Sequence, residues 1–152
     1  ENFDGDTIRQ GIELKVSKRF GEMLLSGGYT YRDTEVDGGM YDGNEIPNVP
    51  RHQFNVGAET RIFECFQLNL DGVYVGERPY ISDFANVAED QDAYFDLSAK
   101  LAYLFEKGSA YITVNNLLDE RYAEYGGLNY YGVPGVYPSP GINFLVGVNL
   151  EF

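Results

Sequence analysis

Seven stretches of this chain alternate between apolar and polar residues with a period of two, and their charges, Asp33 apart, fall on one parity. The first, "TIRQGIELKVS", places Ile8, Ile12, Leu14 and Val16 together, opposite Arg9, Glu13 and Lys15. Five more follow: "EMLLSGGYTYRD", "RHQFNVGAETRI", "FQLNLDGVYVG", "AYFDLSAKLAYLF" and "SAYITVNNLL". The last is "GINFLVGVNLEF", where Phe144, Val146, Val148, Leu150 and Phe152 share one side. A strict period of two with such separation of charge predicts strands, each with one face turned away from water.

The connections alternate in length. "KRFGE", "FEC" and "EKG" are short, whereas "TEVDGGMYDGNEIPNV", "ERPYISDFANVAEDQD" and "DERYAEYGGLNYYGVPGVYPSP" are long and polar. Short turns at one end and long loops at the other are the wiring of a transmembrane antiparallel β-barrel. A strand of about ten residues rises roughly 33 Å. Tilted by about 40°, it covers roughly the 25 Å apolar band of such barrels. Aromatic residues gather at both ends: Phe20, Phe63, Phe66, Tyr103, Phe105 and Phe152 beside the short turns, and Tyr29, Tyr31, Tyr74, Tyr94 and Phe95 beside the long loops. Aromatic belts mark both membrane–water interfaces in this class.

Composition is consistent with that reading. Mean hydropathy is −0.32 and no apolar run is long enough for a transmembrane helix, but barrel strands alternate and so look soluble on average. A formal charge of −13 argues against a nucleic-acid partner, because phosphate contacts need Lys and Arg. The single cysteine, Cys65, permits no internal disulfide. A soluble barrel or sandwich also alternates, but it turns its apolar face inward and closes with compact hairpins at both ends.

Seven strands in an up-and-down meander cannot close antiparallel, and an open edge in lipid leaves backbone groups unsatisfied at several kcal/mol each. Residues 1–152 are therefore expected to be part of a barrel rather than an independent domain, completed by strands from the same or another chain. The absence of an initiating Met and of a signal sequence fits that expectation.

The closing residues resemble the C-terminus of TonB-dependent receptors. "VNNLLDERYAEYGG" carries Asn116, Leu117, Leu118, Asp119 and Tyr122, and "YPSPGINFLVGVNLEF" carries Pro140, Gly141 and the alternating run to Phe152. Ile142 stands where the family has arginine. "GIELKVSKRF", "GGYTYRDTE" and "IPNVPRHQFNVGAE" look like preceding strands of the same barrels. The resemblance implies a 22-stranded barrel in the outer membrane of a Gram-negative bacterium, of which this chain supplies the last seven strands. It also implies a plug domain elsewhere, coupling to TonB through that plug, and uptake of a ferric siderophore or similar scarce nutrient. In the family, the terminal aromatic strand is read by the barrel-assembly machinery, which assigns that role to Phe144, Val146, Val148, Leu150 and Phe152. It places the C-terminus on the periplasmic side and residues 1–6 in an outer loop, with lipid and lipopolysaccharide around the wall. A subunit of a split receptor, a passive porin or adhesin barrel without TonB coupling, and a soluble ligand-binding β-protein are the alternatives.

No catalytic constellation is visible. His52 is the only histidine, so no histidine-based metal site or triad is available, and no Gly-rich phosphate loop opens a helix. No enzyme activity, cofactor or metal site is expected. The acidic loops suit calcium or lipopolysaccharide bridging, but their spacing matches no EF-hand, and solvated charge is the simpler reading. "LNYYGVPGVYPSP" clusters Tyr130, Tyr131 and Tyr137 in the last long loop. Tyrosine offers apolar area with a hydrogen-bonding tip, so these three, with Arg51, are the candidate ligand contacts; a self-packed loop is the competing reading. Arg9, Arg32, Glu59, Arg61 and Lys100 share the charged face with Arg51, where they suit a plug, an anionic ligand or a cross-strand charge network.

Overall fold

The computed structural model describes residues 5–151. Seven strands form one antiparallel meander: β1 (Asp6–Phe20), β2 (Met23–Asp37), β3 (His52–Ile62), β4 (Phe66–Val75), β5 (Tyr94–Phe105), β6 (Gly108–Asn115) and β9 (Asn143–Leu150). They lie in the order β1-β2-β3-β4-β5-β6-β9, so β1 and β9 are the two edges. Between β6 and β9 the chain makes a separate hairpin, β7 (Ala123–Leu128) with β8 (Pro134–Pro138). That hairpin is an addition to the seven predicted strands. The predicted sixth strand also stops early, at Asn115, because Asn116 turns the backbone to φ 49°.

Register confirms the segregation of faces. Ile12 sits opposite Tyr31, Tyr29 opposite Phe54, Val56 opposite Gly72, and Ile112 opposite Val146. These apolar rows are bare: Val16 is 71% exposed, Val56 53% and Val146 72%. Only Val36, Ile46, Val75 and Ala102 are buried hydrophobics among the described residues. The strand apolar residues therefore converge on no dry interior. An aliphatic side chain gains about 1.5–3 kcal/mol on leaving water, so a face of this size requires hydrocarbon against it.

Aromatic contacts outline both ends of that face. Tyr29 stacks on Phe54 at 4.6 Å, Phe54 meets Tyr74 at 5.8 Å, and Tyr31 meets His52 at 5.4 Å. At the other end Phe66 meets Tyr103 at 5.2 Å, and the Lys18 ammonium lies 4.8 Å from the centre of the Phe20 ring. Tyr94 does not join the outer belt as expected. It shares a parity with Asp96 and Lys100, and it stacks on Tyr122 at 4.2 Å on the charged side of the sheet. Phe152 lies outside the described residues.

Candidate functional site

Three long connections crowd one end of the sheet: residues 38–51, 76–93 and 116–142. Arg78 lies at their junction and is 3% exposed. Its Nη2 donates to the carbonyls of Ala123 and Glu124, both at 3.0 Å, and its Nε donates to Asn48 Oδ1 at 3.3 Å. The guanidinium also lies 5.5 Å from the Tyr94 ring centre. One side chain in the second connection thus holds both of the others, and it does so through neutral acceptors.

Other bonds repeat the pattern. Asn86 Oδ1 accepts the Glu45 amide at 2.6 Å, and Asn44 Nδ2 donates to the Phe84 carbonyl at 2.9 Å. Asp83 is buried because its two carboxylate oxygens accept the amides of Val87 and Ala88. The β7–β8 hairpin is fixed by the Ile81 amide donating to the Gly126 carbonyl and the Leu128 amide donating to Ser82 Oγ. Gly126 is needed there: a Cβ would lie 2.6 Å from Tyr80 and 2.8 Å from Gln91 Oε1.

The "NNLLDE" stretch is a staple. Asn116, 2% exposed, donates to the Glu120 and Pro140 carbonyls and accepts the Glu120 amide. Asp119 accepts the Ile142 amide, leading into β9, and Glu120 accepts the Phe95 amide in β5.

Between the second and third connections lies a cleft of about 520 Å³, lined by Tyr80, Gln91, Asp92, Glu120, Tyr122 and Ser139 among others. Beside β1 a second hollow of about 530 Å³ is lined by Arg9, Gly11, Arg32 and Asn48 among others. In the second connection, burial and the negative charges of Glu77 and Asp83 push the Asp90 carboxyl above its ordinary range, against the pull of Arg51. Burial, with Asp96 and Glu124 nearby, likewise pushes the Tyr122 hydroxyl up.

The predicted ligand contacts divide. Tyr130 and Tyr131 form the hairpin tip, 95% and 85% exposed, with rings edge to face at 5.5 Å. Tyr137 lies opposite Tyr125 in the same hairpin and is also exposed. Arg51 belongs to the first connection and is paired with Glu45 at 2.6 Å. Phe144, Val146, Val148 and Leu150 share the exposed outward side of β9, opposite Val114, Ile112, Ala110 and Gly108. On the charged side of the sheet, Arg32 donates to Gln53 and Lys100 lies over the Tyr111 ring. Sequence reasoning missed Arg78 and Gln91, whose only signal was polarity amid loops, which predicts exposure; Asn116 entered only through the resemblance and the predicted sixth strand, with no role assigned.

A family model described as TonB dependent receptor-like, beta-barrel matches residues 1–117. The metal-pseudopaline receptor CntO of Pseudomonas aeruginosa is 32% identical over 142 residues, covering 86% of this chain and 19% of that protein. The crystal structure of the siderophore receptor PiuA from Acinetobacter baumannii superposes with a TM-score of 0.82 at 22% identity, over 97% of this chain and 22% of that one. The ferric yersiniabactin uptake receptor FyuA from Yersinia pestis gives 0.79 at 25% identity, over 95% and 23%. The chain spans about a fifth of the length of the curated relatives it matches.

Proposed function

The chain belongs to the TonB-dependent receptor family, as part of its β-barrel, and on that premise we propose that the complete protein takes up a ferric siderophore or similar metal chelate across the outer membrane. Energy would come through TonB acting on a plug. The observation that carries this reading is the pairing of a bare apolar wall with three outer connections bound into one assembly by Arg78. A wall alone would suit any barrel; a preassembled outer surface suits capture of a ligand.

In this reading residues 1–152 are continuous barrel wall with their loops, not an independent domain. The remaining strands and the plug, on the same or another chain, complete the lumen. Tyr130, Tyr131 and Tyr137 present ring faces and hydroxyls to the arriving chelate, and Arg51 contributes a charge partly satisfied by Glu45. The alternating run from Phe144 to Phe152 serves as the assembly signal, offering an unpaired edge and regular anchors for β-augmentation. Lipopolysaccharide surrounds the outer belt. No bond is made or broken, in keeping with a family of transporters.

The test is accumulation of radiolabelled ferric chelates by cells carrying the complete receptor, with and without TonB. Accumulation that requires TonB, and that falls when residues 129–133 are replaced by a Gly–Ser turn, is expected. Entry that persists without TonB would replace this reading with a passive porin.

A further inference from the structure

β9 reaches β6 through residues 116–142, so no tight turn sets its register. Its outward row does not set it either. Phe144, Val146, Val148 and Leu150 stand opposite Val114, Ile112, Ala110 and Gly108. A slip of one residue would turn that row inward. A slip of two keeps every side chain on its own side and still sets apolar against apolar. Such a slip has a consequence for the whole wall. The outer edge of β9 is free to meet the remaining strands, and barrel closure fixes the stagger between neighbours.

The inner row discriminates where the outward row does not. On β9 it reads Asn143, Leu145, Gly147 and Asn149, and on β6 Ser109, Tyr111, Thr113 and Asn115. The one residue without a side chain, Gly147, pairs with the one aromatic, Tyr111. The Tyr111 ring fills the space that a side chain on Gly147 would take. An added Cβ would overlap its Cζ and hydroxyl oxygen and lie 2.8 Å from Cε1. The Lys100 ammonium, from β5, lies 4.3 Å from the ring centre, an attraction that tethers the ring to the wall. In either two-residue slip the ring would meet Leu145 or Asn149 instead of Gly147. Overpacking of that kind disfavours a register by about tenfold or more. Two further contacts favour the same register: Asn115 Nδ2 donates to Asn143 Oδ1 at 2.8 Å, and Asp119 accepts the Ile142 amide. Both are polar and lie where β9 begins, so water can replace them.

We propose that Tyr111 selects the register of the terminal strand: its ring admits glycine and no other residue of the inner row, so β9 docks on β6 in a single stagger. That role deepens the assembly signal proposed for Phe144 to Phe152 and rests on it. The apolar row fixes which side of β9 meets lipid, and the ring fixes which residue stands at each height.

The experiment reads register by cross-linking in the complete receptor, assembled in outer membranes and free of other cysteines. A disulfide needs Cα atoms about 4.4–6.8 Å apart, so a cysteine at position 110 reports the residue directly opposite. Ala110→Cys with Val148→Cys reports the register described here, and Ala110→Cys with Val146→Cys or Leu150→Cys reports the two slipped ones. All four positions lie on the outward row and leave Tyr111 and Gly147 in place. In the parent, the first pair alone should cross-link. Tyr111→Ala should raise the slipped cross-links about tenfold, whereas Tyr111→Phe should keep them at the parent level. Gly147→Val should lower the yield of folded, heat-modifiable receptor, and adding Tyr111→Ala should restore it. Slipped cross-links that stay at the parent level in Tyr111→Ala, or that rise equally in Asn115→Ala, would overturn the proposal. So would a double variant that folds no better than Gly147→Val. Phe152→Ser, which spares the ring and the glycine, tests the assembly signal separately: an unchanged folded yield refutes that signal and leaves the cross-linking result standing.

Discussion

Replacing Arg78 with Met removes the guanidinium while keeping most of its volume. Two of the bonds lost are to carbonyls at 3.0 Å, and one is to Asn48 Oδ1 at 3.3 Å. Hydrogen bonds from charged groups contribute about 1.5–3 kcal/mol each. Burying a guanidinium without a carboxylate costs several kcal/mol in return. The carbonyls of Ala123 and Glu124 are left unpaired, at about 1–3 kcal/mol each. The balance is a loss of roughly 3 kcal/mol in holding the third connection to the second, or about a hundredfold in the opening equilibrium. The wall should not notice, because its ladders are backbone bonds and Arg78 meets the wall strands only at the Tyr94 ring, at one end of β5. Hydrogen exchange on the complete receptor in micelles reads both at once. The amides of Asn48, Ile81 and Leu128, bonded to the Pro79 carbonyl, the Gly126 carbonyl and Ser82 Oγ, should lose about two orders of magnitude of protection. The amides of β3 and β4 should be unchanged. Loop protection that falls less than fivefold, or wall amides that fall equally, would refute the view of Arg78 as a local clamp.

Gly126→Ala puts a methyl 2.6 Å from the Tyr80 ring, so the β7–β8 hairpin should detach at a cost of about 1–3 kcal/mol, read as faster proteolysis between residues 129 and 133. The raised Asp90 carboxyl means that the folded loop binds more protons than the open one. Loop protection should therefore be greatest in acid and decline as pH rises through that raised range, and Asp90→Asn should keep the acid-side protection at neutral pH. Val146→Arg, on the exposed apolar row of β9, should destabilise the barrel in lipid vesicles by about 2–4 kcal/mol if it lies near the midplane. Leu145→Arg, one residue away on the opposite face, should cost under about 1 kcal/mol; equal costs would mean that β9 does not sort lipid from lumen.

The wall was legible because its code is local. Each strand states its own facing by parity, and the pairings from Ile12 with Tyr31 to Ile112 with Val146 only align rows already written. The outer connections were not legible, because their bonds join residues far apart in sequence: Arg78 meets Glu124 across 46 positions, and Asn86 meets Glu45 across 41. The β7–β8 hairpin escaped for a different reason. Adjacent Gly126 and Gly127, prolines at 134 and 138, and an irregular register between Ala123 and Tyr125 erase the alternation that marks the other strands. Tyr94 was misplaced because sorting aromatics by height alone ignores parity; its neighbours on the same face are Asp96 and Lys100. The tyrosine tip was found by composition, but nothing in the sequence separated it from the cleft, whose lining joins Gln91 and Asp92 to Glu120, Tyr122 and Ser139 from another connection.

These two kinds of legibility correspond to two kinds of energetics. A strand residue on the outward face answers to hydrocarbon, so any apolar side chain of tolerable size serves, and the chain repeats Val, Leu, Ile and Phe without further detail. A loop residue such as Arg78 answers to specific carbonyls at specific distances, and no similar residue replaces it: lysine lacks the fork that reaches Ala123, Glu124 and Asn48 together. That fixed network matters for binding. A ligand captured by loops that must first be ordered loses part of its affinity to their entropy, whereas here the connections are already joined through Arg78 and Asn86, and the third is closed on itself by Asn116. The exposed part of that end is the tip carrying Tyr130 and Tyr131. Under the proposed uptake, contact would divide between this exposed tip and the joined connections beneath it, whose arrangement is set before a ligand arrives.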